Sequence, residues 1–128
     1  MYFPESIPRV ESSTLEKWSK LSYKDLVKEV VNAFVSDDEI PAGDLSDIVD
    51  GAFVRFTVPE VIAFHQLEER LTVAELFHGP TLAFKDLALS VVGQMYSYFL
   101  EKRKKHMTIL VGELKLSTNH EIPIIMKV

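Results

Sequence analysis

The spacing of apolar residues changes near Pro59, and this change constrains the fold more than any other feature of the sequence. Before Pro59, apolar residues recur every three or four positions, as on one face of a helix, whereas after it they form short strand-like runs. The sequence therefore predicts a helical cluster from about Ser13 to Phe56. It then predicts two strands, a helix and a strand between Val61 and Val111.

The three helices of the predicted cluster are delimited by capping residues and turn signals. Ser13 and Glu16 have the spacing of a capping box, which predicts a short first helix. Ser22 is the predicted N-cap of a second helix, and the third is predicted from about Asp44 to Phe56. Apolar residues on these helices are predicted to form the core: Leu15, Trp18, Leu26, Val27, Val30, Val31, Phe34, Leu45, Ile48, Val49, Ala52 and Phe53.

The second half is predicted to form a βαβ-type unit. The strands are predicted at Val61–Leu67, Leu71–Phe77 and Met107–Val111, and a long helix precedes the last of them. One face of that helix is apolar: Leu87, Ala88, Val91, Val92, Met95 and Phe99. A strand, helix and strand in this order favour parallel pairing. The predicted fold class is therefore α/β, with an N-terminal helical cluster followed by a partial β-β-α-β parallel-sheet unit.

Composition excludes several classes of function. The chain has 128 residues, a formal charge of −5 and no cysteine. This balance argues against nucleic acid as a partner, and the chain offers no disulfide or thiolate metal site. His65 is expected to be an ordinary strand residue, and His106 and His120 are too scattered for metal ligation, so no metal is assigned. No signal-peptide pattern and no membrane-length apolar run are visible, so a cytoplasmic location is the default expectation.

The run Glu75-Leu-Phe-His-Gly-Pro-Thr-Leu-Ala-Phe-Lys-Asp86 contains the candidate chemistry. Gly79-Pro80 interrupts regular structure, and a helix predicted to begin just after Thr81 places Lys85 in its first turn. A cation there is disfavoured by up to about 1 kcal/mol. A neutral lysine amine can attack an aldehyde, yet most lysines at such positions are solvated surface residues. Spacing alone leaves both roles open.

The same twelve residues resemble the lysine motif of the threonine synthases and threonine synthase-like proteins, which use pyridoxal 5′-phosphate (PLP). Tyr2-Phe3-Pro4-Glu5-Ser6-Ile7-Pro8 and Trp18-Ser19-Lys20-Leu21-Ser22-Tyr23 are also similar to segments of this family. The resemblance implies a PLP type II fold in which Lys85 binds the cofactor covalently and then transfers protons. His78, Thr81 and Asp86 match the motif, and each is expected either to line the lysine pocket or to act structurally through capping or turn bonds.

The resemblance ends at Gly112. There the family continues into a Ser-Gly-Asp-Thr-Gly loop that holds substrate and cofactor, whereas this chain has Glu113-Leu-Lys-Leu-Ser-Thr118. The expected organisation is an N-terminal segment and helical cluster (1–56), a partial PLP-lysine unit (57–112) and a divergent tail (113–128), together one truncated domain. An N-terminal piece of the family is expected to be missing. The tail around Pro123 is predicted to be poorly packed or frayed.

The function implied by the resemblance is that of a PLP-dependent phospho-lyase. Such an enzyme eliminates phosphate from O-phosphorylated hydroxy-amino acids and yields a 2-oxo acid and ammonia, and this chain is expected to be an inactive or partial form. The alternatives are a threonine synthase proper, which converts O-phosphohomoserine to threonine, and a non-catalytic truncated interaction product. The expected partner is a small phosphorylated amino acid rather than nucleic acid or membrane. Self-association through bare sheet edges is also expected.

Overall fold

The computed structural model describes residue 4, residues 6–111 and residues 124–127, and in these it contains four helices and four strands. The helical region before Pro59 and the later strand–strand–helix–strand order are confirmed. The elements are α1 (Ser12–Trp18), α2 (Tyr23–Asn32), α3 (Ala42–Phe53), β1 (Ala63–Glu68), β2 (Leu71–Glu75), α4 (Asp86–Lys102), β3 (Thr108–Val111) and β4 (Ile124–Lys127).

The first two helices begin in different ways. At α2 the predicted cap is confirmed, because the Ser22 hydroxyl accepts a 3.2 Å hydrogen bond from the Asp25 backbone N–H. The capping box predicted at Ser13 is wrong: α1 has Glu11 as its N-cap and no side-chain cap bond. The chain turns helical before Ser13, and the Glu11 carbonyl accepts the first helical hydrogen bonds, from the backbone N–H groups of Thr14 and Leu15.

The hydrophobic core lies where α3 packs against α2 and α4. All five α3 residues predicted to face inward are buried: Leu45, Ile48, Val49, Ala52 and Phe53. Val91 contributes the buried apolar residue of α4, and Leu87, Met95 and Phe99 pack against the core as partly buried residues. The Phe53 ring meets the Tyr23 ring edge-on, with centroids 5.5 Å apart. Burial raises the pKa of the Tyr23 phenol, because the tyrosinate would lose solvation.

The core prediction is wrong for α1 and for the end of α2. No residue of α1 is buried; Trp18 is half-buried, and Leu15 is 54% exposed. Phe34, just beyond α2, is 53% exposed. The apolar spacing of these residues is helical, but α3 buries its inner face against α2 and α4. The short α1 therefore stays at the margin of the core.

The parallel sheet predicted for the second half is wrong for the described residues, where both pairs of strands are antiparallel. β1 and β2 form a hairpin in which Phe64 faces Ala74 and His65 faces Val73. Glu69 and Arg70 connect them, and so short a connection allows only antiparallel pairing. β3 pairs with β4 instead of with the hairpin, Leu110 facing Ile125.

The tail prediction has a mixed outcome. Residues 124–127 form β4, whose backbone pairs with β3, so the expectation that the tail is frayed is wrong for these residues. Residues 112–123, which include the divergent loop from Glu113 to Thr118 and Pro123 itself, lie outside the described residues.

The longest helix in the described part of the chain is α4, with 17 residues. Among the described helices, none combines the length and the apolar character that crossing a bilayer requires.

Candidate functional site

Lys85 is the last residue of the loop that connects β2 to α4, and we call residues 79–86 the lysine loop. α4 begins at Asp86, so Lys85 is the N-cap residue and does not lie in the first turn of a helix starting after Thr81. Leu82 explains the difference, because its φ of 60° is incompatible with a continuous helix. The Lys85 carbonyl accepts hydrogen bonds from the N–H groups of Ala88, at 3.2 Å, and Leu89, at 2.9 Å. The backbone of Lys85 is therefore fixed, and its side chain is exposed.

Asp86 is the one buried charged residue in the described chain, 8% exposed. Its Oδ2 accepts a 2.8 Å hydrogen bond from the Thr81 backbone N–H. Its Oδ1 accepts a 2.7 Å hydrogen bond from the Thr81 hydroxyl. Both carboxylate oxygens thus bind Thr81, which closes the lysine loop on itself immediately beside Lys85. These bonds give Thr81 and Asp86 the turn-bonding role that was one of their two predicted roles.

Gly79 is buried against the Asp86 side chain. A Cβ added to Gly79 would lie 2.8 Å from Asp86 Cγ and nearer still to Oδ2. No described glycine has a positive φ, so Gly79 is required for space and not for backbone conformation. The turn between Gly79 and Leu82 is closed by a 3.1 Å hydrogen bond from the Leu82 N–H to the Gly79 carbonyl.

His78 precedes the lysine loop and contacts the end of β2. Its Nε2 lies 3.1 Å from Glu75 Oε2. The other carboxylate oxygen of Glu75 lies 3.4 Å from His65 Nε2 on β1. His65 is therefore a partnered strand residue, as predicted. Glu75 was not singled out by sequence reasoning, although it is three residues before His78 and the β1–β2 register brings His65 close to it.

The predicted residues thus divide into two groups. Thr81, Lys85 and Asp86 share the lysine loop, whereas His78 pairs with Glu75 beside it. In the part of the chain that the structure describes, no three His, Cys, Asp or Glu side chains could hold a metal ion together. Two shallow grooves flank α4, and neither is lined by Lys85.

PLP fits the described residues at the point of covalent attachment. That attachment requires a primary amine, and Lys85 supplies one on an exposed side chain with a fixed backbone. Lys85 is the residue that would hold the cofactor. The lysine loop is held by the hydrogen bond from Thr81 to Asp86 and by the packing of Gly79 against the Asp86 side chain.

Known proteins resemble this chain over most of its length. Residues 1–53 match the family model described as threonine synthase N terminus. Mouse threonine synthase-like 2 is 49% identical over 112 residues, covering 88% of this chain and 23% of that protein. Threonine synthase of Saccharomyces cerevisiae is 38% identical over 112 residues, covering 84% of this chain and 22% of its own.

Solved structures give the same result. The crystal structure of yeast threonine synthase matches with a TM-score of 0.73 and 41% identity, over 77% of this chain and 20% of that one. The PLP-bound threonine synthase of Brucella melitensis matches with a TM-score of 0.75 and 34% identity, over 80% of this chain and 22% of that one. The chain spans less than a quarter of the length of these relatives. Motif, fold and relatives agree, and the chain belongs to the threonine synthase family, matching an N-terminal part of it.

Proposed function

We propose that this chain is the lysine-bearing part of a PLP-dependent phospho-lyase that acts on O-phosphorylated hydroxy-amino acids. The observation that carries the proposal is the placement of Lys85, whose exposed side chain follows a loop closed by Thr81 and Asp86. The structure of the Brucella threonine synthase is PLP-bound, which supports the choice of cofactor. The formal charge of −5 favours a small-molecule substrate over nucleic acid.

The chemistry assigned to Lys85 has two parts. Its amine holds the cofactor covalently, and PLP when bound supplies an electron sink for the substrate α-carbon. Once the substrate amine has displaced it, the neutral Lys85 Nζ accepts the α-proton. With phosphate on the β carbon, the electron pair left on the α carbon would expel it. With phosphate on the γ carbon, a second proton would first have to leave the β carbon, and the electron pair left there would expel the phosphate. The fixed backbone of Lys85 keeps its amine beside the substrate through both steps.

The choice of lyase over synthase rests on the relatives. The threonine synthase-like 2 proteins are 46–49% identical to this chain, whereas the fungal threonine synthases are 34–38% identical. Because elimination is the reaction that the resemblance to threonine synthase-like proteins implies, this difference favours a 2-oxo acid, ammonia and phosphate as products. A threonine synthase would instead form threonine. A non-catalytic interaction protein would form no product.

We also propose that the 128-residue chain alone has no measurable turnover and attaches PLP weakly and unselectively. It matches 22–24% of the length of the curated relatives compared above. A covalent bond to an exposed lysine does not supply the preorganised surroundings on which catalysis depends.

A chimera tests the function. The aligned 112 residues of mouse threonine synthase-like 2 are replaced by those of this chain, and the protein is incubated with O-phosphothreonine or O-phosphohomoserine. We expect phosphate, 2-oxo acid and ammonia in equal amounts. Borohydride reduction should abolish the visible PLP absorbance and leave the reduced cofactor attached to Lys85.

Two variants of the chimera control this test. Lys85→Arg keeps the positive charge but cannot bind PLP covalently, and it should abolish phosphate release. Lys20→Arg, at an exposed lysine between α1 and α2, should leave release unchanged. Threonine as the main product would assign the chain to the synthases. Release that persists in Lys85→Arg would remove Lys85 from the mechanism.

A further inference from the structure

We propose that Asp86, through Thr81, is a positioning residue for Lys85. This inference rests on the proposed function, because it concerns how the lysine amine is presented to the cofactor. Asp86 follows Lys85 directly, and both of its carboxylate oxygens bind Thr81 at 2.7 and 2.8 Å. The role is distinct from catalysis: the oxygens of the buried carboxylate point back into the loop.

The hydrogen bonds between Asp86 and Thr81 close residues 81–86 into a ring, which includes Lys85 and the residues just before it. Within this ring the Asp86 N–H donates to the Ala83 carbonyl, and the Leu82 N–H donates to the Gly79 carbonyl just outside it. Leu82 has a φ of 60°, a conformation that leucine adopts only when its surroundings impose it. The two side-chain bonds of Asp86 to Thr81 are the contacts best placed to impose it.

The ring also determines the direction in which the Lys85 side chain extends from the backbone. The Lys85 carbonyl starts α4 by accepting from Ala88 and Leu89, so the helix fixes one side of the residue. On the other side of Lys85, the ring is held by Asp86, whose side chain packs against Gly79. This contact is so close that a methyl group added to Gly79 would collide with the Asp86 carboxylate. Loss of the Thr81–Asp86 bonds frees the segment before the lysine while α4 remains. The lysine amine then samples more directions, which lowers the fraction of time in which it faces a bound partner.

The test uses the 128-residue chain and two readouts that require no turnover. Hydrogen exchange at the Thr81 amide reports the bond to Asp86. Trace acetylation with acetic anhydride, followed by peptide mass spectrometry, gives the reactivity of Lys85 relative to the exposed Lys20. The same ratio in urea gives the value for an unrestrained lysine.

Three variants separate positioning from general stability. Thr81→Val removes the hydroxyl bond and keeps the backbone bond, Asp86→Asn weakens both, and Thr81→Ser keeps both. We expect Asp86→Asn to increase exchange at the residue 81 amide at least tenfold, because it weakens the backbone bond that this exchange reports. Both Thr81→Val and Asp86→Asn should move the acetylation ratio of Lys85 at least halfway to its urea value. Thr81→Ser should restore both readouts. In the chimera, Thr81→Val should slow PLP capture at Lys85 at least threefold.

An unchanged acetylation ratio in folded Thr81→Val would overturn the positioning role, as would equal effects of Thr81→Val and Thr81→Ser. If Asp86→Asn fails to fold, Thr81→Val decides the question, because it removes a single bond. A chimera that releases no phosphate would overturn the proposed function and leave this result intact. An unchanged acetylation ratio together with Lys85-dependent phosphate release would overturn the positioning role and leave the proposed function intact.

Discussion

The Tyr98 hydroxyl donates a 2.8 Å hydrogen bond to the Asp44 carboxylate and so joins α4 to the first turn of α3. Tyr98→Phe should lower the free energy of unfolding by about 0.5–1 kcal/mol, because the bond is exposed and water replaces it in part. Urea denaturation followed by circular dichroism measures the loss. Tyr96→Phe, on the same helix with a 41% exposed ring, is the matched control. Equal losses in both variants would deny the bond a specific contribution.

Among the described residues, Phe53 is the largest fully buried side chain, 1% exposed, and its ring packs against those of Tyr23 and Phe56. Phe53→Ala should cost about 3–5 kcal/mol, because it removes buried apolar surface and leaves a cavity. Val54→Ala, at the neighbouring position where the side chain is 75% exposed, should change stability by less than about 0.5 kcal/mol. Thermal denaturation compares the two. A loss below about 1 kcal/mol for Phe53→Ala would show that the core lies elsewhere.

Much of this core could be predicted because its signal is local. The spacing of Leu45, Ile48 and Val49 defines one face of α3 whatever surrounds it, and Ser22 caps α2 through a bond to a residue three positions away. Trp18 has similar helical spacing but is only half-buried, since burial depends on which helices become neighbours. Sequence periodicity contains no information about that choice.

Strand pairing was harder to predict for the same reason. The strand positions follow from residue type, whereas the partner of β3 depends on a segment that the family motif does not cover. At the site, the motif identified Lys85, Thr81 and Asp86. It did not show that Thr81 and Asp86 bind each other, because that contact requires the left-handed conformation at Leu82.

The stability of the chain should fall at alkaline pH because of Tyr23. Burial raises the pKa of the phenol in the folded state above its ordinary value of 10.0. The unfolded chain therefore loses this proton first as pH rises. The contribution is fully present below pH 10 and is lost as pH rises through the folded pKa. Tyr23→Phe should flatten the fall in urea midpoint above pH 10, and Tyr96→Phe should not. Parallel curves for wild type and Tyr23→Phe would argue against this link.

Leu82 should be replaceable with benefit by a residue that tolerates a positive φ. Its side chain is 73% exposed, so little packing is lost. Leu82→Asn should stabilise the chain by up to about 1 kcal/mol, whereas the β-branched Leu82→Val should destabilise it by a similar amount. Chemical denaturation of both variants measures the difference. The same sign for both would mean that backbone conformation at this position has no energetic weight.

The chain should self-associate through the β1–β2 hairpin. Phe64 and Leu67 on β1 are 71% and 64% exposed, and a two-stranded sheet leaves its outer edges unpaired. Sedimentation velocity at increasing concentration should show species larger than a monomer, and Phe64→Lys should reduce them. Ile7→Lys, at a 77% exposed residue outside the strands, is the control. A single monomeric species at every concentration would count against the hairpin as the contact.

The short connection at Glu69 and Arg70 has a consequence for the order of folding. Both strands of the hairpin are neighbours in sequence, so it can form in about 1–10 μs without help from the helices. The bond between Asp44 and Tyr98 spans 54 residues, and α3 gains its second neighbour only when α4 arrives. During synthesis on the ribosome, the hairpin and the loop bearing Lys85 therefore emerge before α4. They can take local structure while the face of α3 that packs against α4 is still exposed.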